Sequence, residues 1–195
     1  MIRVGILGTI GSGKSFVAKL FKSPLFDADK EVKSIYKKDL KCFKKLKKIL
    51  PKYITTFPIA KSEIIEAIKV NKNNLHKISS IVHPIVRKNL KSFLNKNKKK
   101  KLIVLDVPLL IENKLNRKND VLIFVTTKSN KILKRLKKRE NFDKRILDQL
   151  KQNQVELSKK IKLSNYIVDN NFSPNIMKKK IKKLKNLILN ERSSS

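Results

Sequence analysis

The octapeptide GTIGSGKS at residues 8–15 constrains this chain more than any other feature of its sequence. Gly8, four further residues, Gly13, Lys14 and Ser15 have the spacing of a Walker A phosphate loop, which holds three of the chain's four glycines. The apolar run IRVGIL precedes the loop, and FVAKLF follows it with helical spacing. Backbone N–H groups of such a strand–loop–helix unit cradle phosphate oxygens, so the sequence predicts a nucleoside triphosphate site.

The composition is strongly basic. The chain has 49 Lys and Arg against 15 Asp and Glu, and the net charge of +34 would suit a polyanionic partner. However, the lysines are spread along the chain, and Lys, Asn and Ile are abundant together, as an A/T-rich genome produces. We therefore favour a compositional origin of the charge and expect no obligatory nucleic-acid partner.

Other features of composition point to a soluble protein. Cys42 is the single cysteine, so no disulfide forms within the chain, and no apolar run approaches the length of a membrane span. We expect a cytoplasmic protein with no membrane partner.

The segments alternate as in an α/β protein. We predict extended segments at 2–7, 25–29, 102–110, 121–127 and 165–170, and helices at 15–21, 30–37, 130–139, 144–157 and 174–190. The stretch 39–95 has helical periodicity, interrupted by Pro51, Pro58 and Pro84. We expect a single domain over 1–195: a parallel sheet flanked by helices (about 1–38 and 102–190), a helical insertion (39–95) and a lid (130–157).

Carboxylates follow two of the predicted strands, where ligands bind in an open parallel sheet. Asp106 ends the run LIVL and is placed to hold Mg²⁺ directly or through water, and capping of the following turn is the less favoured alternative. In the DAD tripeptide, Asp27 is placed to accept the proton of an acceptor hydroxyl. Asp29 suits the N-cap of a helix that starts near Lys30.

Basic and imidazole side chains follow later in the chain. Arg135 and Arg139 share a helix face and suit phosphate contacts, but a solvated face explains basic residues there as well. His83 and Arg87 occur together in HPIVRK, and chemistry alone leaves a structural and a functional role for His83 equally open.

The motifs GSGKS, DAD, HPIVRK and DVPLLIEN, with Arg139 and IVDNN, occur in this order. Together they resemble the dephospho-CoA kinase family over nearly the whole chain, and HPIVR with PLLIE is far more specific than the loop alone. The resemblance implies a P-loop kinase fold with a nucleotide core, a helical substrate-binding part and a lid. It further implies Mg²⁺-assisted transfer of a phosphoryl group from ATP to the ribose 3′-hydroxyl of dephospho-CoA, giving coenzyme A and ADP.

The resemblance also implies roles for individual residues. The implied catalytic residues are Asp27, Lys14 and the lid arginine Arg139. The implied ATP-binding residues are Gly11, Ser12, Gly13, Lys14, Ser15, Phe16, Arg139 and, near the adenine, Asn170. The implied substrate-binding residues are Asp27, His83, Arg87, Pro108, Leu109, Leu110 and Glu112, and the implied metal ligands are Ser15 and Asp106.

The chain departs from the family pattern in places. Leu7 and Thr9 stand where the family has Thr and Gly, and a positive φ at Thr9 would cost about 1–3 kcal/mol. Lys33 replaces Arg or His, and Ser164–Asn165 replaces Ala-Asp. The short link from the loop to Asp27 predicts a clipped second strand. Activity is still expected.

Three other functions share part of this pattern. A nucleoside or nucleotide kinase would have the loop but not HPIVRK or DVPLLIEN. A nucleic-acid-bound P-loop ATPase suits the charge, but aromatic residues make up only 6%, there is no Trp, and NKNKKKK contains no aromatic residue for base stacking. The loop substitutions keep a non-catalytic nucleotide binder open.

Overall fold

The computed structural model describes residues 1–128, 132 and 155–192. They group into two compact units: one contains residues 1–27, 96–128, 132 and 155–192, and the other contains residues 28–95. The predicted helix at 130–139, most of that at 144–157, and thus most of the predicted lid, lie outside the described residues.

Strands and helices alternate along the described chain. In chain order the elements are β1 (Ile2–Gly8), α1 (Lys14–Leu20), β2 (Leu25–Asp27), α2 (Ala28–Lys38), α3 (Leu40–Ile49), α4 (Lys61–Val70), α5 (Asn73–Lys96), β3 (Leu102–Asp106), β4 (Val121–Thr126), α6 (Leu157–Lys162), β5 (Tyr166–Asp169) and α7 (Pro174–Glu191). No helix among them has the length and the hydropathy that crossing a bilayer requires.

The first unit is built on a parallel sheet with the strand order β2-β3-β1-β4-β5. Its inner strands are rich in Val, Ile and Leu and almost entirely buried, as expected of a sheet covered on both faces. The predicted parallel sheet flanked by helices is thus confirmed. One face packs against α1 and α7 through buried apolar side chains that include Val4, Ile6, Val104, Ile123, Val17, Met177 and Ile181.

The opposite side of β1 carries a glycine and a buried cation. A Cβ on Gly5 would lie 2.5 Å from Leu110 Cδ2, so the missing side chain makes room for Leu110. Arg3 Nε lies 3.0 Å from Asp120 Oδ1, and an Arg3 guanidinium nitrogen donates to the Leu115 carbonyl at 3.0 Å. Because an unpaired buried charge is costly, these contacts fix the segment that leads into β4.

The second unit consists of α2, α3, α4 and α5. It begins at residue 28, so α2, expected in the core, groups with the helical unit.

The expected interruption at Pro84 is wrong, because Pro84 lies inside α5. Proline weakens a helix interior, but the buried side chains of Ile78, Val82, Val86 and Leu90 continue on both sides of it, and their packing maintains the helix.

The single cysteine lies near the start of α3. Cys42 is fully buried, and its N–H donates to Oδ1 of the N-cap residue Asp39 at 2.9 Å. Burial raises the pKa of the Cys42 thiol to about 11, and the nearby Asp39 carboxylate acts in the same direction.

The carboxylate of Glu63 in α4 organises the loop before that helix. Oε1 accepts from Thr55 N at 2.8 Å, from Thr55 Oγ1 at 2.7 Å and from Thr56 N at 3.1 Å, while Oε2 accepts from Ala60 N at 3.0 Å. Partial burial acts to raise the pKa of Glu63, but these hydrogen bonds to the charged form outweigh it and the pKa is lowered.

We predict that Glu63→Gln lowers the free energy of unfolding by about 1 kcal/mol, because an amide NH₂ would face a backbone donor. Because the pKa of Glu63 is lower in the folded protein than in the unfolded chain, its carboxylate contributes fully to the free energy of unfolding above the unfolded pKa, about 4.3 for Glu. That contribution is lost as the pH falls through the folded pKa. Urea unfolding at pH 7 measures the effect of the substitution, and unfolding below about pH 4.3 measures the loss of the carboxylate's contribution. Glu66→Gln, at an exposed position on α4, is the control. An equal loss in both variants would contradict the assignment.

Candidate active site

The loop at residues 8–15 connects β1 to α1, as the motif predicts. β1 ends at Gly8 and α1 begins at Lys14, with Gly13 as the N-cap residue. Gly8, Gly11 and Gly13 all have positive φ, at 145°, 88° and 88°. The loop therefore takes its tight shape from three backbone conformations that side-chain-bearing residues rarely adopt.

Gly13 is required for a second reason. A Cβ at this position would collide with Nδ2 of Asn170 and would lie 2.8 Å from Cε1 of Phe172. Both residues lie in the turn between β5 and α7. The loop and this turn are thus in direct contact, with no room for a side chain between them.

Lys14 is held over its own loop. Its Nζ donates to the Gly8 carbonyl at 3.0 Å and to the Thr9 carbonyl at 2.9 Å. The Ser12 N–H donates to the Thr9 carbonyl at 3.2 Å and closes the turn. The Lys14 ammonium is thus fixed by the backbone carbonyls of its own loop.

Ser12 and Thr9 are the hydroxyl-bearing residues of the loop ahead of Gly13. Ser12 is fully buried, and its Oγ has no hydrogen-bond partner among the described groups, so its side chain faces the protein interior. Thr9 is not among the residues with positive φ. The condition for strain at Thr9 is therefore not met, because the loop glycines Gly8, Gly11 and Gly13 adopt the unusual conformations.

Two carboxylates lie side by side at the carboxyl edge of the sheet. Asp27 ends β2, Asp106 ends β3, and the two are register partners. Asp27 is half-buried and Asp106 is buried.

β2 has only three residues, so the predicted clipped strand is confirmed. The N-cap role expected of Asp29 is wrong, because α2 already begins at Ala28 and places Asp29 in its first turn.

The oxygen groups here suit Mg²⁺, a hard cation that takes one or two protein carboxylates together with phosphate and water. Ser15 lies in the first turn of α1, and Asp106 lies on the strand next to β1. In the part of the chain that the structure describes, no three or more His, Cys, Asp or Glu cluster as metal ligands. This donor set fits a cation that arrives with a nucleotide.

The segment PLLIE after β3 is divided between the surface and the core. Pro108 and Leu109 are half-buried, whereas Leu110 is fully buried against Gly5, which favours a packing role. Glu112 Oε1 lies 2.6 Å from Lys160 Nζ and accepts from Val155 N at 3.0 Å. Glu112 Oε2 is buried with no hydrogen-bond partner among the described residues.

Sequence reasoning did not identify Lys160 or Phe172. Lys160 is 2% exposed, although it is one of many lysines in the sequence and nothing local distinguishes it. Phe172 has a φ of 63°, which a sequence does not reveal for an aromatic residue. Asn170, expected near adenine, is fully buried, and its Nδ2 donates to the Ser12 carbonyl at 2.9 Å.

Three predicted site residues are not among those whose contacts are described above. His83 and Arg87 lie one turn apart on α5 in the second unit, and Arg139 lies outside the described residues. Burial lowers the pKa of His83, and the positive charge of Arg87 acts in the same direction, so the imidazole is mainly neutral at pH 7. Their roles toward a ligand stay predictions.

We predict that Gly13→Ala weakens nucleotide binding by about ten- to a hundredfold, since a strained backbone residue costs about 1–3 kcal/mol and the new Cβ displaces Asn170 or Phe172. Calorimetric titration with Mg-ATP measures the change. Lys19→Ala, at an exposed position on the same helix, is the control and should bind as the unaltered protein does. Equal affinities in the two variants would contradict the steric argument.

Comparisons with known proteins agree with this geometry. A family model described as CoaE, dephospho-CoA kinase, matches residues 2–175. The dephospho-CoA kinase of Wolbachia pipientis wMel is 34% identical over 175 residues, covering 87% of this chain and 89% of that protein.

Two solved structures share the fold. TT1252 from Thermus thermophilus has a TM-score of 0.74 at 22% identity and covers 97% of both chains. The dephospho-CoA kinase from Campylobacter jejuni has a TM-score of 0.65 at 19% identity and covers 95% of this chain and 96% of its own. The fold is that of the P-loop kinases, and the family match over most of the length establishes that the chain belongs to the dephospho-CoA kinase family.

Proposed function

We propose that this chain transfers the γ-phosphoryl group of ATP to the ribose 3′-hydroxyl of dephospho-CoA, giving coenzyme A and ADP. The observation that carries the proposal is the register between Asp27 and Asp106 on strands β2 and β3, with β1 and its phosphate loop next to β3. An acceptor-activating carboxylate, a metal-binding carboxylate and a phosphate loop then share one edge of one sheet.

The loop binds the ATP phosphates through its backbone N–H groups. Gly11, Gly13 and the first turn of α1 provide the donors, and the Lys14 ammonium neutralises charge on the outer phosphates. Because Lys14 is already held by two loop carbonyls, little side-chain entropy is lost when the phosphate arrives. Arg139 stays a predicted phosphate contact.

Ser15 and Asp106 would hold Mg²⁺, Asp106 directly or through a water molecule. When bound, the ion would supply positive charge that neutralises the phosphates of the nucleotide. The burial of Asp106 strengthens its electrostatic effect on a cation, because less water screens the carboxylate.

Asp27 acts on the acceptor. Its carboxylate accepts the proton of the 3′-hydroxyl as the acceptor oxygen forms its bond to the γ-phosphorus, and the bond from that phosphorus to the β–γ bridging oxygen breaks. ADP leaves with the electron pair of that bond. A half-buried carboxylate at a strand end suits this role, since an acceptor can reach it while the backbone of β2 fixes its position.

A direct assay tests the proposal. The purified protein is incubated with Mg-ATP and dephospho-CoA, and coenzyme A and ADP are followed by mass spectrometry. We expect equal amounts of the two products. ADP without coenzyme A would indicate an ATPase, and ATP binding with neither product would indicate a non-catalytic nucleotide binder.

We predict that Asp27→Asn lowers kcat by about 10²–10⁴-fold with little change in the affinity for ATP, because the amide keeps the shape of the side chain but cannot accept the proton. Steady-state kinetics and calorimetric ATP titration measure the two quantities. Asp29→Asn is the matched control two residues away, on the exposed first turn of α2. Near-normal turnover in Asp27→Asn would remove Asp27 from the mechanism.

A further inference from the structure

The turn between β5 and α7 is bound to the phosphate loop by a buried amide. Asn170 Nδ2 donates to the Ser12 carbonyl at 2.9 Å, and its Oδ1 accepts from the Phe172 N–H at 3.0 Å. The Asn170 side chain is completely buried. Both ends of the carboxamide are thus satisfied by the protein, one by the loop and one by the turn itself.

The backbone of Asn170 is fixed to the sheet. Its N–H donates to the Thr126 carbonyl at 2.8 Å, and its carbonyl accepts from Thr127 Oγ1 at 2.8 Å. Thr126 ends β4, the strand that pairs with β1 and thus with the strand that leads into the loop. A chain of hydrogen bonds therefore runs from the end of β4 through Asn170 to Ser12.

Phe172 adds a steric contact to Gly13, the loop residue that follows Ser12. Its ring carbon Cε1 lies 2.8 Å from the position that a Cβ on Gly13 would occupy. Its φ of 63° is left-handed, a conformation that is unfavourable for a bulky residue and persists only where its surroundings impose it. The bond from the Phe172 N–H to Asn170 Oδ1 is one contact that holds this backbone in place.

We infer that Asn170 is a positioning residue: with the Phe172 ring, its carboxamide holds the Ser12–Gly13 backbone in the form that binds phosphate. The Ser12 carbonyl is fixed facing the turn, so the peptide that joins Ser12 to Gly13 is fixed with its N–H on the other side. The loop is then organised before the nucleotide binds, and less binding free energy is lost to ordering it. This inference rests on the proposed ATP site and gives Asn170 a role in recognising any polyphosphate, in place of the adenine contact expected from the resemblance.

The test compares Asn170→Ala with Asn175→Ala, an exposed asparagine at the start of α7. The first readout is hydrogen–deuterium exchange in the nucleotide-free protein, which does not depend on activity. We expect faster exchange in Asn170→Ala for peptides spanning residues 8–16 and unchanged exchange for β3, because the Ser12 carbonyl loses its partner. Exchange that is equally faster across the whole sheet, or exchange that is unchanged at residues 8–16, would overturn the inference.

The second readout is the affinity for ATP, for GTP and for inorganic tripolyphosphate, each with Mg²⁺. A positioning role predicts that Asn170→Ala weakens all three by the same factor, about ten- to a hundredfold, while the KM for dephospho-CoA is unchanged. A loss confined to ATP would identify an adenine contact and overturn the inference. If the unaltered protein bound none of the three, the proposed function would fail, while the exchange measurement would still decide the positioning role.

Phe172→Ala keeps the inference testable if Asn170→Ala does not fold. This variant removes the ring and retains the Asn170 carboxamide, so the same pattern is expected with a smaller amplitude. Unchanged loop exchange and unchanged affinity for all three polyphosphates in Phe172→Ala would contradict the part assigned to the ring.

Discussion

Parallel strand pairing is the constraint on which the rest of this structure depends. Because all five described strands run in one direction, their carboxyl ends meet at a single edge, and the phosphate loop, Asp106 and Asp27 follow from β1, β3 and β2 in turn. The register is as important as the direction. A slip of one residue between β2 and β3 would turn Asp27 to the opposite face of the sheet and separate it from Asp106.

The sequence predicts those parts of the fold whose signals are local and strong. Apolar runs rich in Val, Ile and Leu predicted β1, β3 and β4, although β3 ends at Asp106 and not at residue 110, and the glycine spacing predicted the loop. Errors occurred where packing overrides a local signal. The proline at 84 is tolerated because buried residues repeat on both sides of it, and α2 begins before the aspartate that resembled its cap. In the same way, positive φ within the loop is confined to glycines, which makes the threonine at position 9 harmless.

The contacts around the candidate site could not be predicted, because they join residues far apart in the chain. The hydrogen bond from Asn170 to Ser12 spans 158 positions, and the ion pair of Glu112 with Lys160 uses one lysine among dozens. A motif specifies which groups meet the phosphate, but it does not specify which groups hold the motif in shape. The latter depend on the turn after β5, whose left-handed Phe172 has no signature in sequence.

The burial of Cys42 has a consequence for compatibility with the proposed substrate, since dephospho-CoA and coenzyme A both carry a thiol. Thiol–disulfide exchange requires an accessible thiolate, and burial keeps the Cys42 thiol in its neutral form at pH 7 because it raises the pKa to about 11. The side chain is also closed to solvent. Disulfides of the substrate or product that arise under oxidative stress therefore find no partner on the folded protein, and the enzyme avoids covalent capture by the compounds it handles.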